Sequence, residues 1–242
     1  MTSGRLAEQR LPAGSCGRQP HALTRKVVRG LGATAAVVGV LALVWVVVVW
    51  RWQDPFTALY TAREQHKLTA HYEQRLRSYA PASRSIALEA RRYRLSLHPG
   101  DPVGRLSIPR LGLSKIVVNG TSESELKKGP GRYLGSFLPG EGELVYIAGH
   151  RTTYGAPFAH IERLRTGDRV TLELPYGTFV YEVRRHVIVR SDDLRPLRSH
   201  GREVLALQAC HPRFFATHRY IVYAVPVPAG RSAPRRSASS RR

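Results

Sequence analysis

Residues 31–50, LGATAAVVGVLALVWVVVVW, run for twenty residues without a charge. At helical rise that length matches the roughly 30 Å hydrocarbon layer of a bilayer, and a segment in lipid satisfies its backbone only as a helix or within a closed barrel. The run therefore splits the chain into what lies before and after a membrane span. Arg18, Arg25, Lys26 and Arg29 precede it, and Trp45, Trp50 and Trp52 gather at its far end, where indoles settle among headgroups. These flanks put residues 1–30 in the cytoplasm as a basic tail and everything after residue 50 outside, a single-pass plasma-membrane arrangement. A cleaved leader would have a shorter apolar core, about 7–15 residues, and a small-residue cleavage site. RWQDPF follows instead, so the segment is expected to remain as an anchor.

The 242 residues suffice for one ordinary domain plus anchor and tails. The net charge of +21 is mostly arginine and sits largely in the first thirty residues, in 63–98 and at the C-terminus. Nucleic-acid binding is not expected, because no recognition motif with interleaved aromatics accompanies the charge. A basic flank against anionic lipid or wall polymer is the simpler reading.

The topology also separates the two cysteines. Cys16 falls on the inner side and Cys210 on the outer, so they cannot pair. Outward-facing proteins ordinarily oxidise their cysteines, and an unpaired one there is either a small buried hydrophobe or a nucleophile.

Apolar and aromatic residues at Phe56, Leu59, Tyr60, Leu68, Tyr72, Leu76 and Tyr79 recur mostly at three and four, the period of an amphipathic helix. Residues 51–100 read as a helical linker that lifts the following unit off the membrane, with a helix packed on that unit as the alternative. From 103 the pattern changes to period-two runs: 106–108, 116–118, 144–148, 170–174, 179–183, 187–189, 204–207 and 220–225. Eight short runs separated by Gly, Pro and Asp indicate a sandwich or barrel. Ser122-x-x-Glu125 has the form of a capping box before one helical turn, and 157–164 is expected to form another. A folded domain over 101–228 follows, and 229–242, rich in Arg and Ser without apolar period, is expected to be disordered.

His150 follows one of these runs and a glycine, Cys210 ends another, and Arg219 opens the last. Neighbouring strand ends can bring an imidazole and a thiol together, and a guanidinium can return across a hairpin. That trio can attack a carbonyl, protonate a leaving amine and support a developing oxyanion. Arg213 competes with Arg219 for the last role. His211 is a poor base, since adjacent side chains in extended chain face opposite ways. His160, His186, His200 and His218 lack metal-ligand spacing, so no metal or other cofactor is expected.

The segments AGHRTTYGAPF (148–158), LQACHPRF (207–214) and HRYIV (218–222) closely resemble the sortases, and among them the class E sortases of actinobacteria. The resemblance covers roughly 103–226. It implies an eight-stranded β-barrel with short helices, with His150 as general acid/base, Cys210 as nucleophile and Arg219 as the arginine that orients the sorting signal. It also implies a reaction: cleavage of an LPxTG-type or, in class E, LAxTG-type signal between Thr and Gly, and transfer of the secreted protein to an amine of a lipid-linked peptidoglycan precursor. GPGRY (129–133) places the tyrosine associated with the class E preference at Tyr133, and Tyr154 is a second candidate for substrate contact. Family members usually carry threonines where this chain has Ala206 and Ala209. Ala209 precedes the thiol, so a lost hydroxyl contact to substrate there would lower activity or change selectivity. Two alternatives stand beside this reading: an L,D-transpeptidase or papain-like wall enzyme, and a barrel that captures sorting signals without cutting them.

Overall fold

The structure, a computed structural model, describes residues 21–52 and 55–228, with side chains except those of 21–25 and 49–55. The basic tail up to residue 20, Cys16, the rings of Trp50 and Trp52, and segment 229–242 lie outside the described residues. The chain divides into two units between residues 47 and 48. The first is dominated by helix α1 (His21–Trp52), whose 23-residue stretch Lys26–Val48 is long and apolar enough to cross a membrane. Val37, Leu41 and Leu43 on it are all more than half exposed. That much uncovered apolar surface is consistent with a lipid-facing anchor.

Among its described residues the second unit contains eight strands: β1 (Pro102–Ile108), β2 (Leu113–Asn119), β3 (Gly131–Arg132), β4 (Leu144–Ala148), β5 (Arg169–Leu174), β6 (Gly177–Arg190), β7 (Val204–His211) and β8 (His218–Pro226). They close into a barrel in the order β1-β2-β3-β4-β7-β8-β6-β5, with β1 pairing back to β5. The β2–β3 and β4–β7 pairs are parallel and the others antiparallel. The eight apolar runs do not map one to one onto these strands. Those at 179–183 and 187–189 belong to one 14-residue strand, β6, whose register against β8 shifts between Val183 and Arg185. The two-residue β3 is too short to leave a periodic signal. Its glycine is required by proximity, since a Cβ on Gly131 would sit 2.2 Å from the Gly120 carbonyl oxygen.

Alternation along the strands builds the interior. Val170, Leu172 and Leu174 of β5, Val145 and Ile147 of β4, and Leu205, Leu207 and Ala209 of β7 point into one core with Phe158 and Tyr181. The opposite faces of β4, β7 and β8 hold a second cluster of Leu144, Tyr146, Ala206 and Ile221. The capping box forms as expected and starts the single-turn helix α4 (Glu123–Leu126).

The segment expected to be a stalk is part of this unit, so the packed alternative describes it. Helix α2 (Pro55–Ser78) lays Leu68 and Tyr72 on Ile116 and Val118 of β2. The partner strand β3 is short and leaves the outer backbone groups of Ile116 open, and the Gln65 carboxamide closes both. It accepts from Ile116 N (2.8 Å) and donates to Ile116 O (2.9 Å). Tyr72 Oη donates to the Glu173 carbonyl of β5 (2.6 Å). A second helix, α3 (Ile86–Ser96), lies in a stretch with few core-like positions in sequence. It is capped by Ser85, buries Ala90 and Tyr93 in the main core, and clamps Arg94 on Glu141 through Nε at 2.8 and 3.1 Å.

Candidate active site

Strand β7 lies between β4 and β8, and these two pairings assemble the site. The parallel β4–β7 register aligns Ala148 with Gln208, so two residues farther along both chains His150 arrives level with Cys210. The ladder is continued by the Gly149 amide, which donates to the Gln208 carbonyl (2.9 Å). On the other side the antiparallel β7–β8 register sets Cys210 directly opposite Arg219. With neighbouring strands roughly 4.8 Å apart, His150, Cys210 and Arg219 stand in a row across three adjacent strand segments. Cys210 stands at a strand end, as its place after the apolar run suggested, as the penultimate residue of β7. All three side chains line one cleft of about 310 Å³, together with Thr121, Tyr133, Tyr146, Leu197 and Gln208. Cys210 is the free thiol among the described residues, half-buried at the cleft wall.

His150 is held from several directions. A Cβ on Gly149 would lie 2.7 Å from the Phe158 ring, so glycine lets the chain pass Phe158 and deliver the imidazole. The His150 carbonyl accepts from Phe158 N (3.1 Å), and Tyr154 lies over the ring at 5.1 Å between centroids, tilted 35°. The ring's Nε2 is buried without a hydrogen-bond partner among the described residues. Burial is the main influence lowering the His150 pKa; the Glu123 carboxylate opposes that and the Lys127 ammonium adds to it. A lowered pKa keeps the folded-state ring neutral where the unfolded ring, at its ordinary value of about 6.5, takes up a proton. The corresponding stability is present above that pH and is lost as the pH falls toward the folded value. Glu123→Gln is expected to move the His150 titration lower still and Lys127→Met to raise it, read from the imidazole proton shifts in NMR or from the acid limb of kcat/KM. No movement in either variant would contradict the assigned electrostatics.

The two candidate arginines separate cleanly. Arg219 lines the cleft, with Nη1 donating to the carbonyls of Ala216 (2.7 Å) and His218 (3.0 Å), which leaves Nε and Nη2 without an acceptor among the described residues. Arg213 turns away to the Ala159 carbonyl, His160 and Glu162. His211 faces away from the thiol as expected, its Nδ1 accepting from Arg151 (2.8 Å).

Arg151 was not singled out from sequence, where it reads as one more arginine in a basic chain. It is 6% exposed, and one guanidinium ties the Cys210 carbonyl (3.2 Å), His211 and Glu162 (2.9 Å), while stacking over Tyr220 at 5.6 Å. It thereby couples the residue following His150 to the backbone of Cys210. Arg151→Met is expected to lower kcat about 10- to 100-fold, the scale of a misplaced catalytic group. Cys210 should still be alkylated by a small thiol reagent, and lysine should not rescue, because it lacks the planar fork. Unchanged kcat would remove Arg151 from the positioning of the site.

Tyr133 lines the cleft, edge-on to Tyr146 at 6.3 Å. Tyr154 is not among the lining residues. It packs on His150, with Lys127 Nζ 5.7 Å from its ring centre and Tyr60 of α2 edge-on at 6.4 Å. Ala209 requires correction as a substrate contact: its side chain is fully buried in the barrel with Leu205 and Leu207, while Gln208 and Cys210 take the cleft face. A threonine hydroxyl at 209 would be directed to the core by the same alternation.

Residues 106–227 match the Sortase domain family. Sortase D of Bacillus subtilis is 36% identical over 128 residues, 51% of this chain and 63% of that protein. Sortase SrtE1 of Streptomyces coelicolor is 30% identical over 145 residues, 53% of this chain and 41% of that protein. The chain thus spans less than two thirds of the length of either relative. Among solved structures, a Clostridium perfringens sortase D5 transpeptidase superposes with a TM-score of 0.59 at 21% identity, covering 68% of this chain and 99% of that one. A C. perfringens sortase C with a C-terminal cell wall sorting motif gives 0.60 at 22%, covering 67% and 98%.

Proposed function

The chain belongs to the sortase family, whose members are cysteine transpeptidases, and from that premise we propose that it is a membrane-anchored sortase joining secreted proteins to a cell-wall amine outside the cell. The observation that carries the reading is the register that brings His150, Cys210 and Arg219 from three adjacent strand segments around one cleft. In the reaction the neutral His150 ring takes the Cys210 thiol proton, the resulting thiolate attacks the threonine carbonyl of the sorting signal, and the Arg219 guanidinium supports charge on the oxygen. The Thr–Gly C–N bond breaks and the His150 imidazolium gives its proton to the departing glycine amine. A thioester remains on Cys210. An acceptor amine then attacks it and loses a proton to neutral His150, the C–S bond breaks, and the thiolate is restored.

Two features support the finer class E assignment and an LAxTG-type signal: GPGRY puts Tyr133 in the cleft wall, and SrtE1 is among the relatives. Helix α1 serves as the anchor, with the basic flank holding the N-terminus in the cytoplasm. The test is a panel of LAxTG and LPxTG peptides with triglycine as acceptor, run beside purified peptidoglycan. Cleavage after threonine with a triglycine adduct, LAxTG preferred, is the expected result. Activity on stem peptides of the wall alone would favour the L,D-transpeptidase alternative, and binding of the signal without cleavage would reduce the protein to a capture module.

A further inference from the structure

The cleft is not the only depression on the face of the barrel that carries Cys210. Leu144 of β4, Val204 of β7 and Tyr223 of β8 line a second, smaller one, of about 60 Å³. On the same three strands Ala148, Cys210 and Arg219 line the cleft. The separations are four, six and four residues, all even, so alternation puts both depressions on one side of the sheet. At about 3.3 Å per residue they lie roughly 13–20 Å apart along the strands. The short turn at 195–197 forms the wall between them, with Pro196 on one side and Leu197 on the other.

The rest of the second depression's lining is Arg185, Arg195, Arg198, His200 and Arg202, with no carboxylate. Arg195 is closed by Asp193 at 2.8 Å. Arg185 lies over the Tyr223 ring at 4.6 Å and, like Arg198 and Arg202, makes no ion pair among the described residues. Arginines lining one depression without a carboxylate among them favour a compact anion with several acceptor oxygens, which their planar forks match in pairs.

We infer that this depression binds a phosphate or diphosphate group carried by the acceptor substrate, holding it while an amine some 13–20 Å away reaches the thioester on Cys210. The inference rests on the transpeptidase reading for the second half of that statement, though not for the anion site itself. A donor peptide needs only the cleft, so the site selects acceptors and leaves signal cleavage alone.

The test uses the purified full chain, the double variant Arg198→Glu/Arg202→Glu, and the control Arg84→Glu/Arg91→Glu, which changes net charge equally on exposed residues of another region. Calorimetry with inorganic pyrophosphate is expected to show saturable binding to the wild type and the control, weakened at least tenfold in Arg198→Glu/Arg202→Glu. Transfer of an LAxTG peptide to a diphosphate-bearing amine should fall at least tenfold in that variant, and transfer to triglycine should stay within twofold. Matching melting temperatures exclude unfolding as the cause. Pyrophosphate binding that is absent from the wild type, or weakened equally in both variants, overturns the inference, as does an equal loss toward both acceptors. If the wild type transfers to no amine at all, the transpeptidase reading has failed, and the pyrophosphate titration still decides the anion site.

Discussion

Replacing Cys210 with alanine is expected to lower peptide transfer by roughly 10⁴-fold or more, the scale on which a covalent nucleophile is lost. The fold should be undisturbed. Cys210 is half-buried at a cleft wall rather than in the core, and its place in the ladder depends on backbone pairing with Arg219. His150→Ala is expected to cost a comparable factor, because without the ring neither the thiol's proton nor the leaving amine has a partner in reach. The double variant should be scarcely worse than either single one, since groups that act as a unit are not additive. Transfer assays on the three proteins, with circular dichroism to confirm folding, check this. A Cys210→Ala protein that retains even a tenth of wild-type transfer would place the chemistry elsewhere.

The second large effect concerns helix α2. Leu68 is 5% exposed and Tyr72 1%, and both pack on β2, with the Tyr72 hydroxyl also bonded to β5. Truncating a buried leucine to alanine costs about 2–5 kcal/mol and a large aromatic about 3–5. Neighbouring sites add imperfectly, so Leu68→Ala/Tyr72→Ala is expected to lose about 5 kcal/mol or more, against a total stability of about 5–15 kcal/mol for a typical domain. Urea denaturation measures it. The consequence reaches the site as well, because Thr57 Oγ1 of α2 accepts from Tyr154 N (2.9 Å) and Tyr154 packs on the His150 imidazole. A soluble fragment beginning near residue 100 would lack these contacts, so soluble versions should start before Pro55. Stability unchanged in the double variant would return α2 to the role of a tether.

Particular residues explain what could be read from the chain and what could not. The barrel was legible because period-two runs such as Val170, Leu172 and Leu174 report burial on one face of a strand. Tyr72 and Leu68 sat at helical spacing, yet spacing says only that a helix has an apolar face and is silent on what covers it. Helix α3 buries only Ala90, Tyr93 and a charged Glu89 bonded to Tyr79, Arg92 and the Ala82 amide, so hydropathy gives almost no sign of it. At the site, motif and strand ends pointed to His150, Cys210 and Arg219. The reason they meet, a parallel β4–β7 pair between strands far apart in sequence, is a long-range pairing with no local signature. Ala209 was assigned to substrate by adjacency to the thiol, when alternation already turns it inward. Arg151 was hidden by the opposite bias, a cation read as surface that the fold buries against Cys210 and Glu162.

In the proposed reaction Cys210 carries the acyl group of a sorting signal. Intact-mass spectrometry of the full chain mixed with an LAxTG peptide and no amine tests it most directly. An added mass equal to the peptide cut after threonine is expected, located at Cys210 by fragmentation, discharged by triglycine and missing from Cys210→Ala. Cleavage of the peptide with no such adduct, or with the adduct on another residue, would contradict it.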